Sequence, residues 1–113
     1  RIFWSSTIPG TFPETQSSAD GGLNHRIYYC TTKDFVEFSP TRLMFDPGYN
    51  CIDATISAFR GGYLMVIKDE TREPAAKYLR SYIAKTLDGL RSCGFLESWF
   101  KAISCTSPIL SLF

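Results

Sequence analysis

The sequence predicts an all-β fold, and two observations carry this prediction. Runs rich in β-branched and aromatic residues, with apolar and polar positions alternating, fill about the first eighty positions. Gly, Pro, Asn and Asp mark the breaks between these runs. Six short strands in succession are typical of a β-sandwich or a β-propeller. The predicted strands cover residues 2–8, 26–32, 42–45, 51–59, 63–68 and 78–86.

The residues between the predicted strands indicate which strands pair and where a long loop lies. Arg60-Gly61-Gly62 separates the fourth and fifth runs and predicts a hairpin, because glycine reaches the positive φ angles of tight turns without steric cost. We therefore expect residues 51–59 and 63–68 to pair as antiparallel strands. Residues 11–24 are polar, with Pro13 and two glycines, and predict a long loop. Such a loop meets a ligand or serves as a mobile connector, and the sequence leaves both open.

A weak internal repeat favours the propeller over the sandwich. Residues 28–35 resemble residues 82–89, and setting Thr32 on Thr86 and Asp34 on Asp88 gives an offset of 54 positions. That offset is close to the length of one long four-stranded propeller blade. Because few identities support the match, the repeat is supporting evidence only.

Composition limits the classes of function. The 113 residues allow one modest core, and the 44% hydrophobic and 20% charged content is that of an ordinary globular chain. A net charge of +1 gives no field that would attract nucleic acid or anionic lipid, and no apolar run is long enough to span a membrane. The N-terminus does not match a signal peptide, so no compartment is assigned. The chain begins at Arg1 and enters an apolar run at once, so we expect an excerpt of a longer protein.

Metal and cofactor sites have little support in the sequence. The four cysteines show no CxxC spacing, and His25 is the single histidine, so a zinc site is not predicted. Cys30 and Cys51 fall inside strand-like runs, where a small buried thiol is the common outcome. Free thiols are the expected state, and no cofactor is predicted. No nucleophile motif accompanies His25, so a Ser-His-Asp triad is not predicted either.

Three stretches of the chain are similar to a known family. They are WSSTIPGTFP at residues 4–13, HRIYYCTTKDF at 25–35, and IDATI at 52–56 followed by YLMVIKDE at 63–70. In this order and spacing they resemble the middle blades of family 43 of the glycoside hydrolases, which are five-bladed β-propellers acting on arabinan, arabinoxylan and related plant polysaccharides. The similarity runs from about residue 2 to residue 89.

The resemblance implies that this chain is a fragment of about two of the five blades. Residues 1–49 would supply the second to fourth strands of one blade, and residues 50–89 the first three strands of the next. Residues 90–113 show no clean period of two or 3.6, and we expect an irregular or short helical tail. We interpret this tail as foreign to the propeller, as after a shifted reading frame.

The resemblance also implies a mechanism. Family 43 hydrolyses its substrate with inversion, using one carboxyl group to protonate the leaving oxygen and another to activate water. A third carboxylate raises the pKa of the acid, and the family's Ile-Asp motif gives this role of pKa modulator to Asp53. The general base would precede Arg1. The general acid would follow Asp53 in a Glu-Gly-Pro-like setting, which the neighbours of Glu97 do not reproduce.

Each candidate site residue has a plain structural alternative. Asp53 could be a strand-end carboxylate bound to backbone, although we expect it to open an inner strand and face the central funnel. Lys68 and Glu70 are candidates for substrate binding at the funnel rim or members of a solvated strand edge. His25 could bind sugar hydroxyls or begin a strand at the surface. Trp4 could stack on a sugar ring or fill the core.

Two functions from different classes follow. The first is a fragment of a hydrolase of arabinose- or xylose-containing polysaccharides, inactive as this chain because acid and base are not evident. The second is a non-catalytic carbohydrate-binding or interaction module; a structural β-domain without a ligand is a weaker third. An oligo- or polysaccharide is the expected partner, together with self-association through exposed blade surfaces.

Overall fold

Two antiparallel β-sheets make up the protein in the computed structural model, which describes residues 1–16, 24–72, 74–76, 78–91 and 103–104. The first sheet has the order β1-β2-β3 and the second the order β4-β5-β6-β7. A 3-10 turn at Pro13–Thr15 and a short helix, α1 (Leu87–Arg91), are the helical elements of the described residues. The strands are β1 (Ile2–Ser6), β2 (Arg26–Cys30), β3 (Arg42–Phe45), β4 (Cys51–Phe59), β5 (Gly62–Asp69), β6 (Tyr78–Ala84) and β7 (Ile103–Ser104).

This architecture confirms the predicted all-β class and is what a fragment of about two propeller blades should show. All six predicted strands are present. β1, β2 and β6 each end two residues earlier than predicted, at Ser6, Cys30 and Ala84. The chain after β1 turns at once, with the Thr11 amide donating to the Ile8 carbonyl at 3.1 Å. Most of the predicted tail, including Glu97, lies outside the described residues.

The hairpin between β4 and β5 is confirmed. Arg60 and Gly61 have φ angles of 46° and 76°, so both central residues of the two-residue loop are left-handed, as in a type I′ turn. The register runs from Phe59 opposite Gly62 to Cys51 opposite Asp69. A Cβ at Gly62 would lie 2.5 Å from the Ala84 carbonyl oxygen, so glycine is also required where β6 crosses this turn.

One hydrophobic core joins the two sheets. β2, β3, β4, β5 and α1 contribute buried side chains to it: Ile27, Tyr29, Met44, Phe45, Cys51, Met65, Ile67 and Leu90. Burying each aliphatic or aromatic side chain contributes roughly 1.5–3 kcal/mol before losses in entropy. Phe3 packs on this core from β1. The first strand of the second sheet, β4, lies beside β1 and β2 of the first sheet.

The internal repeat has a structural counterpart. The Thr32 hydroxyl accepts the Phe35 amide at 2.9 Å just after β2, and the Thr86 hydroxyl accepts the Gly89 amide at 2.9 Å just after β6. Each threonine thus closes a tight turn of four residues at the same point of its repeat. The assignment of residues 1–49 and 50–89 to two blades stays a prediction.

Candidate functional site

A β-bulge sets the position of Asp53 in β4. Ile52 pairs with Lys68, but the next paired residue, Thr55, lies opposite Val66. Three steps along β4 therefore face two along β5, which leaves one extra residue in β4. Asp53 has a φ of +58°, a left-handed conformation that costs a non-glycine residue of order 1 kcal/mol and that Asp tolerates better than most. Its side chain is exposed. The bulge and the left-handed backbone therefore interrupt the regular alternation of side chains along β4 and leave the Asp53 carboxylate facing outward.

The two sheets are hydrogen-bonded at this bulge. The Asp53 amide donates to the Ser5 hydroxyl of β1 at 3.1 Å. Ser5 lies on the same face of β1 as Phe3, which packs on the shared core, because alternate residues of a strand share a face. Among the described residues, the Asp53 carboxylate forms no hydrogen bond or ion pair.

Asn50 joins three chain segments immediately before β4. Its side chain is buried, and its Oδ1 accepts the His25 amide at 2.7 Å. Its main-chain carbonyl accepts the Glu70 amide at 2.8 Å, and the His25 carbonyl accepts the Cys51 amide at 3.1 Å. The starts of β2 and β4 and the end of β5 therefore meet at one corner, which we call the Asn50 corner. His25 and Glu70 are both held there by backbone hydrogen bonds.

Glu70 lies at this corner between two cations. Lys68 Nζ is 2.8 Å from Glu70 Oε2, and Arg72 Nη2 donates to Glu70 Oε1 at 2.8 Å. The hydrogen bond from Lys68 and the charges of Lys68 and Arg72 hold the pKa of Glu70 below its ordinary value, against a smaller opposing effect of burial. A carboxyl group with a lowered pKa is ionised at neutral pH. Glu70 is therefore suited to accept hydrogen bonds, and it is unsuited to act as a general acid.

Asp69, between Lys68 and Glu70, does not belong to the solvated edge. It is buried on the other face of β5, where its Oδ2 accepts Arg80 Nε at 2.8 Å and its Oδ1 accepts the Thr71 amide at 2.9 Å. The charges at the end of β5 are thus divided. Lys68 and Glu70 are half-buried at the corner, whereas Asp69 is buried and fixes the chain that leaves the strand.

The structure brings His25, Lys68 and Glu70 to the Asn50 corner and leaves Trp4 away from it. His25 is half-buried, and its Nδ1 is buried without a hydrogen-bond partner among the described residues. Trp4 pairs with Tyr28 and lies on the face of β1 opposite to Phe3. It therefore does not share a surface with the Ser5 contact. Asp53 follows the corner in β4, three residues after Asn50.

The sequence-based reasoning missed a buried arginine. Arg26 is fully buried at the start of β2, and its guanidinium lies 4.3 Å from the centre of the Phe12 ring. A buried charge is tolerated when its donors are satisfied, which is the case here. Arg26 fixes residues 12–15, part of the predicted long loop, against β2. The guanidinium donates to Asp46 Oδ1 (2.6 Å), Asn24 Oδ1 (2.6 Å), Thr15 Oγ1 (2.6 Å) and the His25 carbonyl (3.0 Å).

The signal for Arg26 was present in the sequence but weak. Arg26 directly precedes an apolar strand and follows His25 and Asn24, and a charged residue at a core-facing strand position points to a paired site. Ser5 and Asn50 gave no comparable signal, because their partners are distant in sequence. Within the described part of the chain, no three or more His, Cys, Asp or Glu side chains form a group that could hold a metal ion, and no helix could cross a membrane.

Comparison with known proteins identifies the family of this chain. The model of a probable glycosyl hydrolase domain, related to family 43 of the glycoside hydrolases, matches residues 1–106. An α-L-arabinofuranosidase of Bifidobacterium longum subsp. longum is 29% identical over 79 residues, which is 70% of this chain and 7% of that protein. The chain thus spans a small part of this curated relative. No solved structure matches the chain significantly. The chain belongs to the family of probable glycosyl hydrolase domains related to glycoside hydrolase family 43.

Proposed function

We propose that this chain forms part of the active site of an inverting glycoside hydrolase that acts on arabinose- or xylose-containing plant polysaccharides. The single observation that carries the proposal is Asp53, an exposed carboxylate that a bulge and a left-handed backbone turn out of β4. Backbone of this kind is concentrated at functional sites. The family match and the similarity to an arabinofuranosidase favour the sugar class.

In this proposal Asp53 acts through its charge. A carboxylate close to a general acid makes the acid's proton harder to lose, which raises the pKa of the acid toward the pH at which it works. Asp53 contributes that charge, while the acid and the base come from other blades of a five-bladed propeller. Glu70 cannot substitute for the acid, since Lys68 and Arg72 keep it ionised.

The Asn50 corner supplies polar contacts for the sugar in the same proposal. Lys68, Glu70 and His25 are half-buried polar side chains at this corner. Hydroxyl groups of a furanose or pyranose are donors and acceptors that match this set. The corner positions the substrate and does not perform the proton transfers.

The test is replacement of Asp53 in the protein that contains this chain. Asp53→Asn keeps the size and the tolerance of left-handed φ but removes the charge. We expect turnover of nitrophenyl α-L-arabinofuranoside or β-D-xyloside to fall by roughly a hundredfold or more, with unchanged thermal stability. Glu37→Gln, which removes an exposed carboxylate on the β2–β3 loop, is the matched control and should leave turnover unchanged. Full activity of Asp53→Asn would refute the role.

The isolated 113-residue chain should show no measurable hydrolysis of either substrate. A second candidate function, carbohydrate binding without hydrolysis, needs polar side chains such as those of the Asn50 corner and neither an acid nor a base. Titration of the chain with arabino- and xylo-oligosaccharides, followed by NMR, separates the two functions. If the protein that contains this chain binds the glycan and does not hydrolyse it, the binding module is favoured. Hydrolysis that depends on Asp53 supports the enzyme.

A further inference from the structure

The contact between Ser5 and Asp53 goes beyond the assignment of Asp53 itself. The extra residue of a bulge loses its place in the hydrogen-bonded ladder, so its amide takes a partner outside that ladder. The Asp53 amide finds its partner outside its own sheet, in the hydroxyl of Ser5 on β1. A side chain of the first sheet therefore accepts the amide hydrogen at the bulge of β4, and this bulge sets the direction of the Asp53 carboxylate.

We infer that Ser5 is a positioning residue for Asp53, holding the bulge of β4 in the conformation that points the carboxylate into the proposed active site. This inference rests on the proposed function. Ser5 reaches Asp53 from the core-facing side of β1, and β1 and β4 lie side by side. The hydrogen bond joins residues 48 positions apart, so it fixes the carboxylate relative to the first sheet as well as to its own strand.

A positioning role has consequences that differ from those of general stabilisation. Without the Ser5 hydroxyl, the amide of Asp53 is released and the bulge is free to relax, which displaces the carboxylate. Misplacement of a reacting group by about 1 Å can cost up to 10²-fold in rate. The acid would then lose part of the charge that raises its pKa, and it would ionise at a lower pH.

On the described strands beside Ser5, removing this hydroxyl leaves the other charged side chains in their ion pairs. β1 carries no charged side chain. At the facing end of β5 the charged side chains are Lys68 and Asp69, each in an ion pair. Arg26, the charged residue of β2, is paired with Asp46. A change in the pH profile after Ser5→Ala would therefore come from the position of Asp53.

The chain offers a matched set of variants. Ser5→Ala removes the acceptor, and Ser5→Thr keeps a hydroxyl in a residue that favours strands. Ser6→Ala is the control, because Ser6 lies on the opposite face of β1 and its hydroxyl donates weakly to the Thr7 carbonyl at 3.5 Å. Two readouts are needed, one on the hydrogen bond and one on catalysis.

The first readout is amide hydrogen exchange of Asp53 by NMR in the 113-residue chain. Loss of one hydrogen bond should accelerate exchange about fivefold in Ser5→Ala, with no change in Ser6→Ala and slow exchange restored in Ser5→Thr. Equal exchange rates in all variants would overturn the inference, whatever the catalytic activity of the protein proves to be.

The second readout is the pH profile of kcat/KM for the arabinofuranoside in the containing protein. Ser5→Ala should lower kcat about tenfold with KM little changed, and the alkaline limb should move to lower pH, with recovery in Ser5→Thr. If Asp53→Asn abolishes turnover while Ser5→Ala keeps the native pH profile, the inference fails and the proposed function stands. If Asp53→Asn is fully active, the proposed function fails, and this inference, which depends on it, is overturned with it.

Discussion

The hydroxyl groups of Tyr49 and Tyr82 lie 2.6 Å apart and form a hydrogen bond that ties the β3–β4 connection to β6. The Arg80 guanidinium lies 5.1 Å from the centre of the Tyr49 ring, and the Phe45 ring meets Tyr82 edge-on at 4.6 Å. Burial and this hydrogen bond raise the pKa of Tyr49, and burial also raises that of Tyr82. The pair is thus a neutral, partly buried link between the β3–β4 connection and the second sheet.

We expect Tyr49→Phe and Tyr82→Phe each to lower the free energy of unfolding by about 1–2 kcal/mol, because each leaves the other hydroxyl without its partner. The double variant should cost no more than the worse single variant, since it removes both polar groups. Urea denaturation measures these values, with the exposed Tyr78→Phe as the control. Strictly additive losses would show that the hydrogen bond contributes little.

Alkaline pH should destabilise the protein through Cys51. Burial raises the pKa of this thiol from 9.0 to about 12. A group whose pKa is higher in the folded state contributes stability that is present below the unfolded pKa and is lost as the pH rises through the folded pKa. The free energy of unfolding should therefore fall between about pH 9 and pH 12, and the fall should be shallower in Cys51→Ala.

The same burial protects the Cys51 thiol from reagents. We expect iodoacetamide at pH 8 to alkylate Cys51 only after denaturant unfolds the chain, because the thiolate is the nucleophile and the site is closed to solvent. Mass spectrometry of peptides measures the extent of labelling. Rapid labelling in the folded protein would contradict the burial described for β4.

The buried Arg26 should be the most sensitive charged position in the first sheet. Arg26→Met removes the guanidinium donor that Asp46, Asn24 and Thr15 share, and we expect a loss of about 1–3 kcal/mol in the free energy of unfolding. Arg26→Lys should also be costly, since an ammonium group cannot reproduce the planar guanidinium geometry.

A milder variant keeps this prediction measurable if Arg26→Met fails to fold. Thr15→Val removes one acceptor and should cost about 1–2 kcal/mol. Arg42→Met, at an exposed position of β3, is the control and should change stability by less than about 0.5 kcal/mol. Equal effects at positions 26 and 42 would contradict the network.

The loop after β2 contains an exposed residue with strained backbone. Phe35 is 75% exposed and has a φ of +57°, a conformation unfavourable for a bulky residue. We expect Phe35→Asn to raise the free energy of unfolding by about 0.5–1 kcal/mol, because Asn accepts left-handed φ and Thr32 still caps the turn. Phe38→Asn, an equally apolar exposed position without positive φ, should give no gain. Thermal unfolding of both variants shows whether a gain in stability comes from relief of backbone strain or from removal of exposed apolar surface.

Much of the fold could be predicted from the sequence because strands and tight turns are encoded locally. The signals for the β4–β5 hairpin each span only a few positions. They are the alternation in residues 51–59, the glycines of Arg60-Gly61-Gly62 and the β-branched run that follows. The resemblance to family 43 singled out Asp53, whose role stays a prediction. The predicted β1, β2 and β6 each ran two residues too far, because the turns that end them rely on hydrogen bonds such as the one from the Thr11 amide to the Ile8 carbonyl.

The site's supporting contacts could not be predicted, for a physical reason. Nothing in Ile-Asp-Ala-Thr distinguishes a bulge from a regular strand, since the extra residue is defined only by the register of β5. The hydroxyl of Ser5 and the amide of Asp53 meet only when the sheets pack. Trp4 illustrates the same limit, because the sequence alone does not decide whether Phe3 or Trp4 faces the core.

The two-residue turn at Arg60 and Gly61 also has a consequence for the order of folding. The β4–β5 hairpin closes over the shortest loop between paired strands, whereas the Ser5 and Asn50 contacts join segments 48 and 25 positions apart. Local pairs form in microseconds and distant pairs wait for loop closure, so we expect the hairpin to form early and the sheets to dock late. Gly61→Ala should then slow refolding in stopped-flow fluorescence, while Asn50→Ala should mainly accelerate unfolding.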